Sequence, residues 1–416
     1  MNKLVNKIIT IFLLIGPILD LLTGICLHYF KINLTIGIFI RVVFLLFICI
    51  ITLFYFKKKN VLIPYLIIGL YFILYIVGVI LYKDKGTFFE IQNLIKVFYF
   101  PIVLISICSI KDKINISNKI LFTIMMMYLL FIFVPLLLGL GYKPYEITKV
   151  GTLGFFNAAN EVGGIISILT PVMFIILVKG NNKIIKISSV LIYLIVILMV
   201  GTKTPLLTLF ITIGISMIYL IINFIKKKEY KKIAISLIIL LVGISSLIIV
   251  LPKTNFYKNI KTHLEFLEVE NITDVFKDEK LVDHFIFSQR LTFLKNRNKL
   301  YNKSNTYQKL FGIGYLKNGK EFKMIEMDYF DIFYSHGIIG FIIYFIISIY
   351  LIIKTIIKDK ITYERLMYIT SFFLITLLSL LTGHIITAPA VSIIVVMIII
   401  KLSKKNRQGV NENGLN

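Results

Sequence analysis

Carboxylates, amides and cations gather at a few points of a chain that is otherwise poor in charge. The stretch from Glu326 through Asp328, Asp331, Ser335, His336 and Gly337 to Gly340 sets acids at a helix start. Asp328 and Asp331 are three apart and share a face. Carboxylates there can hold a base beside a hydroxyl. They also read as acids at a positive helix end, ahead of a Gly-x-x-Gly packing contact. In Gly154-Phe155-Phe156-Asn157-Ala158-Ala159-Asn160-Glu161, Asn157 is a candidate helix cap. Asn160 and Glu161 then fall in the first turn, whether as site groups or as ordinary capping partners. In Gly201-Thr202-Lys203-Thr204-Pro205, Lys203 and the free amides of a helix start suit an anion, and Pro205 suits the first turn. The plainer reading of Lys203 is a snorkelling lysine. Arg290, in Ser288-Gln289-Arg290-Leu291-Thr292-Phe293, carries a guanidinium able to clamp a phosphate at two points. It also fits the solvated face of an amphipathic helix.

Asp20, Arg41, Glu90, Gln92 and Lys96 interrupt apolar runs. An ionisable group there is costly, so each marks either function or a tie between helices. Arg41, near the outer end of its run, is a further candidate for binding an anion. Glu90 and Lys96 are six apart and need separate partners. His384 is a possible source of imidazole, or a plain helix-end histidine.

The elements that must hold these groups are membrane helices. The chain has 416 residues, 58% hydrophobic and 16% charged, with mean hydropathy +0.90; soluble domains are roughly half apolar and about a quarter charged. Apolar runs of helix length recur throughout, each able to cross a hydrocarbon core of about 30 Å. A helix satisfies its own backbone there. The alternating segments of a membrane barrel are absent. The expected fold is therefore all-α, a polytopic membrane bundle of about twelve transmembrane helices with one large external loop containing short helices. The helices are expected near 8–28, 36–56, 61–82, 88–110, 119–140, 161–178, 187–201, 205–225, 233–251, 329–353, 364–382 and 385–400. The division is 1–251 for nine helices, 252–328 for the loop, 329–401 for three more and 402–416 for a tail. Within the loop, Phe287, Leu291 and Leu294 predict an amphipathic helix in the stretch 281–300.

The net charge of +25 would suggest nucleic acid in a soluble protein. Here the lysines mark topology. Alternate connections hold clusters: Lys57 to Lys59; Lys226 to Lys228 with Lys231 and Lys232; Lys354, Lys358 and Lys360; Lys401, Lys404, Lys405 and Arg407. The intervening connections hold few, such as Lys83 with Lys85, and Lys143 with Lys149. The positive-inside rule then puts both termini in the cytoplasm and the large loop outside the plasma membrane. Cys26, Cys49 and Cys108 lie in apolar runs and read as core residues. The first apolar run lacks a small-residue cleavage site and reads as a retained helix. No nucleotide motif, metal-ligand spacing or internal repeat stands out, so no cofactor and no metal is expected.

In their order along the chain, these segments resemble the O-antigen ligase and polymerase superfamily, including the Wzy-type polymerases of surface polysaccharides. The matching pieces are Gly201-Thr202-Lys203-Thr204, Arg290, Phe311-Gly312-Ile313-Gly314, and Glu326 through Gly340. Two positions depart from the family pattern: Lys203 replaces the turn arginine, and Glu326 stands where the ligases commonly place a histidine. The resemblance implies a Gram-positive-type polymerase, a GT-C-like, metal-independent glycosyltransferase of capsule or exopolysaccharide synthesis. It would join oligosaccharide repeat units carried on polyisoprenyl diphosphate, such as undecaprenyl diphosphate, at the outer face of the cytoplasmic membrane. Lys203 and Arg290, with Arg41, would bind the diphosphate, and Glu326, Asp328 or Glu161 would be the base. Asn157, Asn160, Asp331 and His384 are further candidates. The partners implied are the lipid-linked oligosaccharide, the bilayer, a flippase and a chain-length regulator, with no nucleic acid. The alternatives are a ligase that moves finished glycan to a final acceptor, a flippase or transporter, and a non-catalytic scaffold.

Overall fold

Apolar helix formers fill the chain, and the computed structural model is helical nearly throughout. It describes residues 2–31, 36–82, 86–143, 150–317, 320–356 and 360–403. Lys83, Lys85, Lys149, Lys358, Lys404, Lys405, Arg407 and nearly all of the tail expected over 402–416 lie outside the described residues. Nine long helices come first: α1 Asn2–Tyr29, α2 Ile36–Ile50, α3 Leu62–Tyr82, α4 Thr87–Ser109, α5 Asn118–Leu137, α6 Ala159–Lys179, α7 Lys183–Val200, α8 Lys203–Lys226 and α9 Tyr230–Val250. The loop region contains α10 Asn255–Phe266, α11 Ile272–Val275, α12 Glu279–Phe285, α13 Arg290–Asn302 and α14 Thr306–Phe311. A two-residue antiparallel pair, Leu316–Lys317 with Lys320–Glu321, follows. The chain then re-enters the bundle with α15 Asp328–Thr355, α16 Tyr363–Leu381 and α17 Pro389–Leu402.

Among the described residues, 11 helices are long and apolar enough to cross a membrane. The expected twelfth is shorter, a helix of 14 residues that begins at Pro389 rather than at 385. Proline suits a first helical position because its missing N–H has no helical partner there. Nearly every residue of α17 is buried. It packs among α4, α6, α15 and α16, as expected of a helix that is apolar all round. Residues 382–388 ahead of it are not helical. Irregular backbone at membrane depth is tolerated where protein covers it.

Two local breaks shape the loop end of the bundle. The first is Gly337 inside α15, with φ 67° and ψ −175°. The carbonyls of Tyr334 and Ser335 beside that break accept the amides of Ile313 (3.0 Å) and Gly314 (3.1 Å). The Gly312-Ile313-Gly314 turn is thus stitched into the interrupted helix. The second break divides the helix expected over 281–300 into α12 and α13. Ser288 and Gln289 both have positive φ there. The Asp283 carboxylate accepts the amides of Leu291 and Thr292 and the Thr292 hydroxyl, capping the new helix start.

Buried polar groups tie the end of the loop to α3 and α4. Glu90 is fully buried and accepts Tyr75 Oη (2.8 Å) and the amides of Tyr315 and Leu316. His336, also fully buried, lies between Tyr315 Oη (2.7 Å) and Tyr71 Oη (3.1 Å). Buried polar groups cost stability unless they are paired, and these are paired across the loop–bundle boundary. Cys26, Cys49 and Cys108 are free thiols.

Candidate functional site

The start of α6 lies at the loop end, and two glycines let other segments close on it. A Cβ at Gly163 would touch Pro205 and Thr202 at 3.9 and 4.0 Å. One at Gly164 would stand 2.5 Å from the Ile385 side chain. The α7–α8 turn and the 382–388 segment therefore converge on Asn160 and Glu161.

The loop delivers Arg290 to the same place. It is the first residue of α13 and 8% exposed. Its Nη2 donates to Glu326 Oε2 at 3.0 Å and to the Thr382 carbonyl at 3.5 Å, and its Nη1 donates to the Phe287 carbonyl at 3.4 Å. Its Nε has no hydrogen-bond partner among the described residues. Asn160 Nδ2 donates to the same Glu326 oxygen at 3.3 Å. Glu326 Oε1 accepts no hydrogen bond among the described residues, and the side chain is 27% exposed. Asn160, Arg290 and Glu326, expected as site residues from three distant segments, thus meet in one cluster. Glu161 lies half-buried beside Asn160 without a hydrogen bond among the described residues.

Lys203 begins α8 at this end. Its Nζ donates to the Phe285 carbonyl and stands 3.9 Å from the centre of the Phe285 ring. It therefore grips the loop five residues before Arg290. His263 on α10 lies tilted against the same ring, with centroids 5.2 Å apart. Burial, with Lys203 and His284 close by, pushes the His263 imidazole down from an ordinary 6.5 to about 4. The unfolded chain takes up that proton below 6.5 and the folded chain does so only near 4. Docking of α10 is therefore intact above 6.5 and weakens as pH falls towards 4. Cleavage of the loop by added protease is expected to rise across that window. His263→Phe is expected to flatten the rise, and an unchanged profile in that variant removes the assignment.

Four other candidates are placed apart from the Arg290–Glu326 contact. Arg41 is committed elsewhere: its Nη2 lies 2.6 Å from Asp20 Oδ1, and Tyr128 Oη donates to Asp20 Oδ2 at 2.5 Å. It ties α1, α2 and α5 together and makes no contact with Arg290, Glu326 or Lys203 among the described contacts. A buried pair of this kind is costly to break, because removing one partner leaves a charge in low dielectric. Asp328 accepts the amides of His384 (2.7 Å), Ile385 (2.9 Å) and Ile386 (2.9 Å) and the Thr387 hydroxyl (2.6 Å). Both of its oxygens are engaged in anchoring the 384–387 backbone. Asp331 accepts the amides of Ile325 and Met327 and orders the entry to α15. Asn157 is exposed; Ala158 holds the cap position of α6, with no side-chain bond.

His384 lies in the 382–388 segment with φ 58°, beyond the end of α16. Two participants escaped sequence reasoning. The Thr382 carbonyl carries no sequence signal. Arg297 does: it follows Arg290 by two helical turns, at heptad spacing. It is 3% exposed, donates to the Gly314 carbonyl (2.6 Å) and Ser335 Oγ (3.2 Å), and stacks 4.0 Å from the Phe322 ring.

The fold and these contacts define a multi-pass membrane protein in which Asn160, Arg290 and Glu326 meet where one end of a helical bundle joins the segment between α9 and α15. The chain belongs to the O-antigen ligase-like membrane protein family, whose family model matches residues 2–284 and 272–404. No curated protein matches it closely enough to count as a relative. Membership places it among membrane proteins of the glycan-processing ligase and polymerase kind.

Proposed function

We propose that the protein is a surface polysaccharide polymerase that joins oligosaccharide repeat units carried on polyisoprenyl diphosphate. The meeting of Arg290 and Asn160 on one oxygen of Glu326, next to the turn bearing Lys203, carries the reading. Such a cluster pairs a cation for a leaving phosphate with a carboxylate for an incoming hydroxyl. The acceptor oxygen attacks the anomeric carbon of the donor sugar, and the bond from that carbon to the diphosphate breaks. Glu326 takes the hydroxyl proton on Oε1, with Glu161 as the neighbouring alternative. Arg290 Nε and the Lys203 ammonium balance the charge that grows on the departing diphosphate. Diphosphate is a good leaving group, so the step needs no ATP. In this reading the loop end faces the cell exterior and both termini face the cytoplasm, as the lysine distribution implies.

Lys203→Ala tests the reading in the native host, with immunoblotting to confirm that the protein stays in the membrane. The expected surface glycan is single repeat units in place of polymer. Long chains left unattached would assign the protein to the ligases instead. Polymer of normal length would remove the phosphate-binding role of Lys203.

A further inference from the structure

We propose that Asp328 is a positioning residue of the transfer site and acts through the turn 382–387. The inference rests on the reading that Glu326 and Arg290 take part in transfer. Asp328 is 1% exposed, and its oxygens hold three consecutive amides and one hydroxyl of that turn. Three amides on one carboxylate fix the backbone of successive residues. The first residue so held, His384, has φ 58°, and Gly383 just before it has φ 62°. An L residue such as His384 keeps that geometry only where its surroundings enforce it.

The turn in turn braces both functional groups. A Cβ at Gly383 would stand 2.5 Å from the carbonyl carbon of Glu326 and 2.6 Å from its oxygen. The two backbones are thus in direct contact, and Glu326 also has a positive φ, 62°. One residue before Gly383, the Thr382 carbonyl accepts Arg290 Nη2 at 3.5 Å. Asp328 therefore fixes Glu326 through its main chain and Arg290 through a hydrogen bond, while touching neither side chain. Any loosening of the turn moves the carboxylate and the guanidinium together.

The test uses full-length protein in nanodiscs, with lipid-linked glycan extracted from the native host as substrate. The variants are Glu326→Gln, Asp328→Asn, Thr387→Val and the doubles with Glu326→Gln. Misplacement by about 1 Å costs roughly 100-fold in rate, so Asp328→Asn is expected to lower kcat by about that factor with KM little changed. Thr387→Val removes one bond to the same carboxylate and leaves the amides in place; its expected loss is smaller, about 5-fold. Each double is expected to lose less than the product of the two single losses, because the part that acts through Glu326 is already gone and only the part through Arg290 remains. Hydrogen exchange at the Ile385 and Ile386 amides should speed up in Asp328→Asn. Losses that multiply in the doubles would overturn the proposal, as would deprotected amides with wild-type turnover. Should Asp328→Asn fail to fold, the Thr387→Val pair decides. Wild-type turnover in Glu326→Gln would instead move the base to Glu161 and overturn the positioning role, leaving the transfer reading to the Lys203→Ala test.

Discussion

Arg290→Ala is expected to lower glycan transfer by about 10²- to 10³-fold, the loss typical of removing one preorganised donor from a developing charge. The effect should fall on rate rather than on folding. Breaking a fully buried ion pair costs about 3–5 kcal/mol. Glu326, however, is 27% exposed, so water can replace the lost guanidinium. Asn160 still holds one of its oxygens. The melting temperature in detergent should therefore shift by only a few degrees while activity collapses. Arg290→Lys should fall between the two. Lysine keeps the charge but not the planar fork that reaches Glu326, Thr382 and Phe287 at once. Turnover on lipid-linked glycan, with the melt measured on the same samples, checks both parts. Near-wild-type turnover in Arg290→Ala would remove the guanidinium from the mechanism.

Gly337→Ala should do the opposite and unfold the loop end. Its φ of 67° with ψ −175° lies in a region essentially reserved for glycine; holding another residue there costs about 1–3 kcal/mol. The added Cβ would also meet Gly312 N and the Leu310 carbonyl oxygen, both at 2.5 Å. These are backbone atoms and cannot swing aside. Together the two effects reach about 4 kcal/mol, the range of exceptional single substitutions. Gly340→Ala, three residues on, makes a useful comparison. Its Cβ would meet the Tyr71 hydroxyl at 2.4 Å and the His336 side chain at 2.7 Å, so part of the strain falls on side chains. Its backbone is helical, and a smaller loss is expected. Thermal melts and protease cleavage within 300–327 should rank Gly337→Ala well below Gly340→Ala. Equal melts would mean that the stitched turn contributes little to holding the loop.

The two predictions separate the jobs of neighbouring segments. Arg290 and Glu326 meet at an edge where the Glu326 side chain is 27% exposed. Glu90, His336 and Arg297 are buried where loop and bundle join. Desolvation is repaid there by hydrogen bonds to Tyr315, Leu316, Tyr71, Gly314 and Ser335. Lys203 stands between the two jobs, since the ammonium proposed to meet a phosphate also holds the Phe285 carbonyl.

The helical bundle was legible in the sequence because its cause is local. An apolar run long enough to cross a bilayer must be a helix, and most helices fell within a few residues of where hydropathy placed them. The short α17 shows where that logic stops. Hydropathy reports apolar length and cannot tell a lipid-facing helix from one surrounded by protein, and only the latter lets 382–388 stay irregular. The candidate cluster was legible as residue types. Asn160, Arg290 and Glu326 each stand out in the sequence by residue type and position. Their division of labour was not legible. Glu326 and Asp328 are both acids, two positions apart, and nothing local distinguishes them. The tertiary structure does, because 56 residues away in the chain the His384 amide fills Asp328 while Glu326 keeps an oxygen free. Arg41 is likewise a bare cation in the sequence, and only the fold sets it against Asp20, 21 residues earlier. A side chain's type sets the chemistry open to it. What remains available depends on which donors and charges the fold brings against it, and those contacts join residues too far apart in the chain for any local pattern to record.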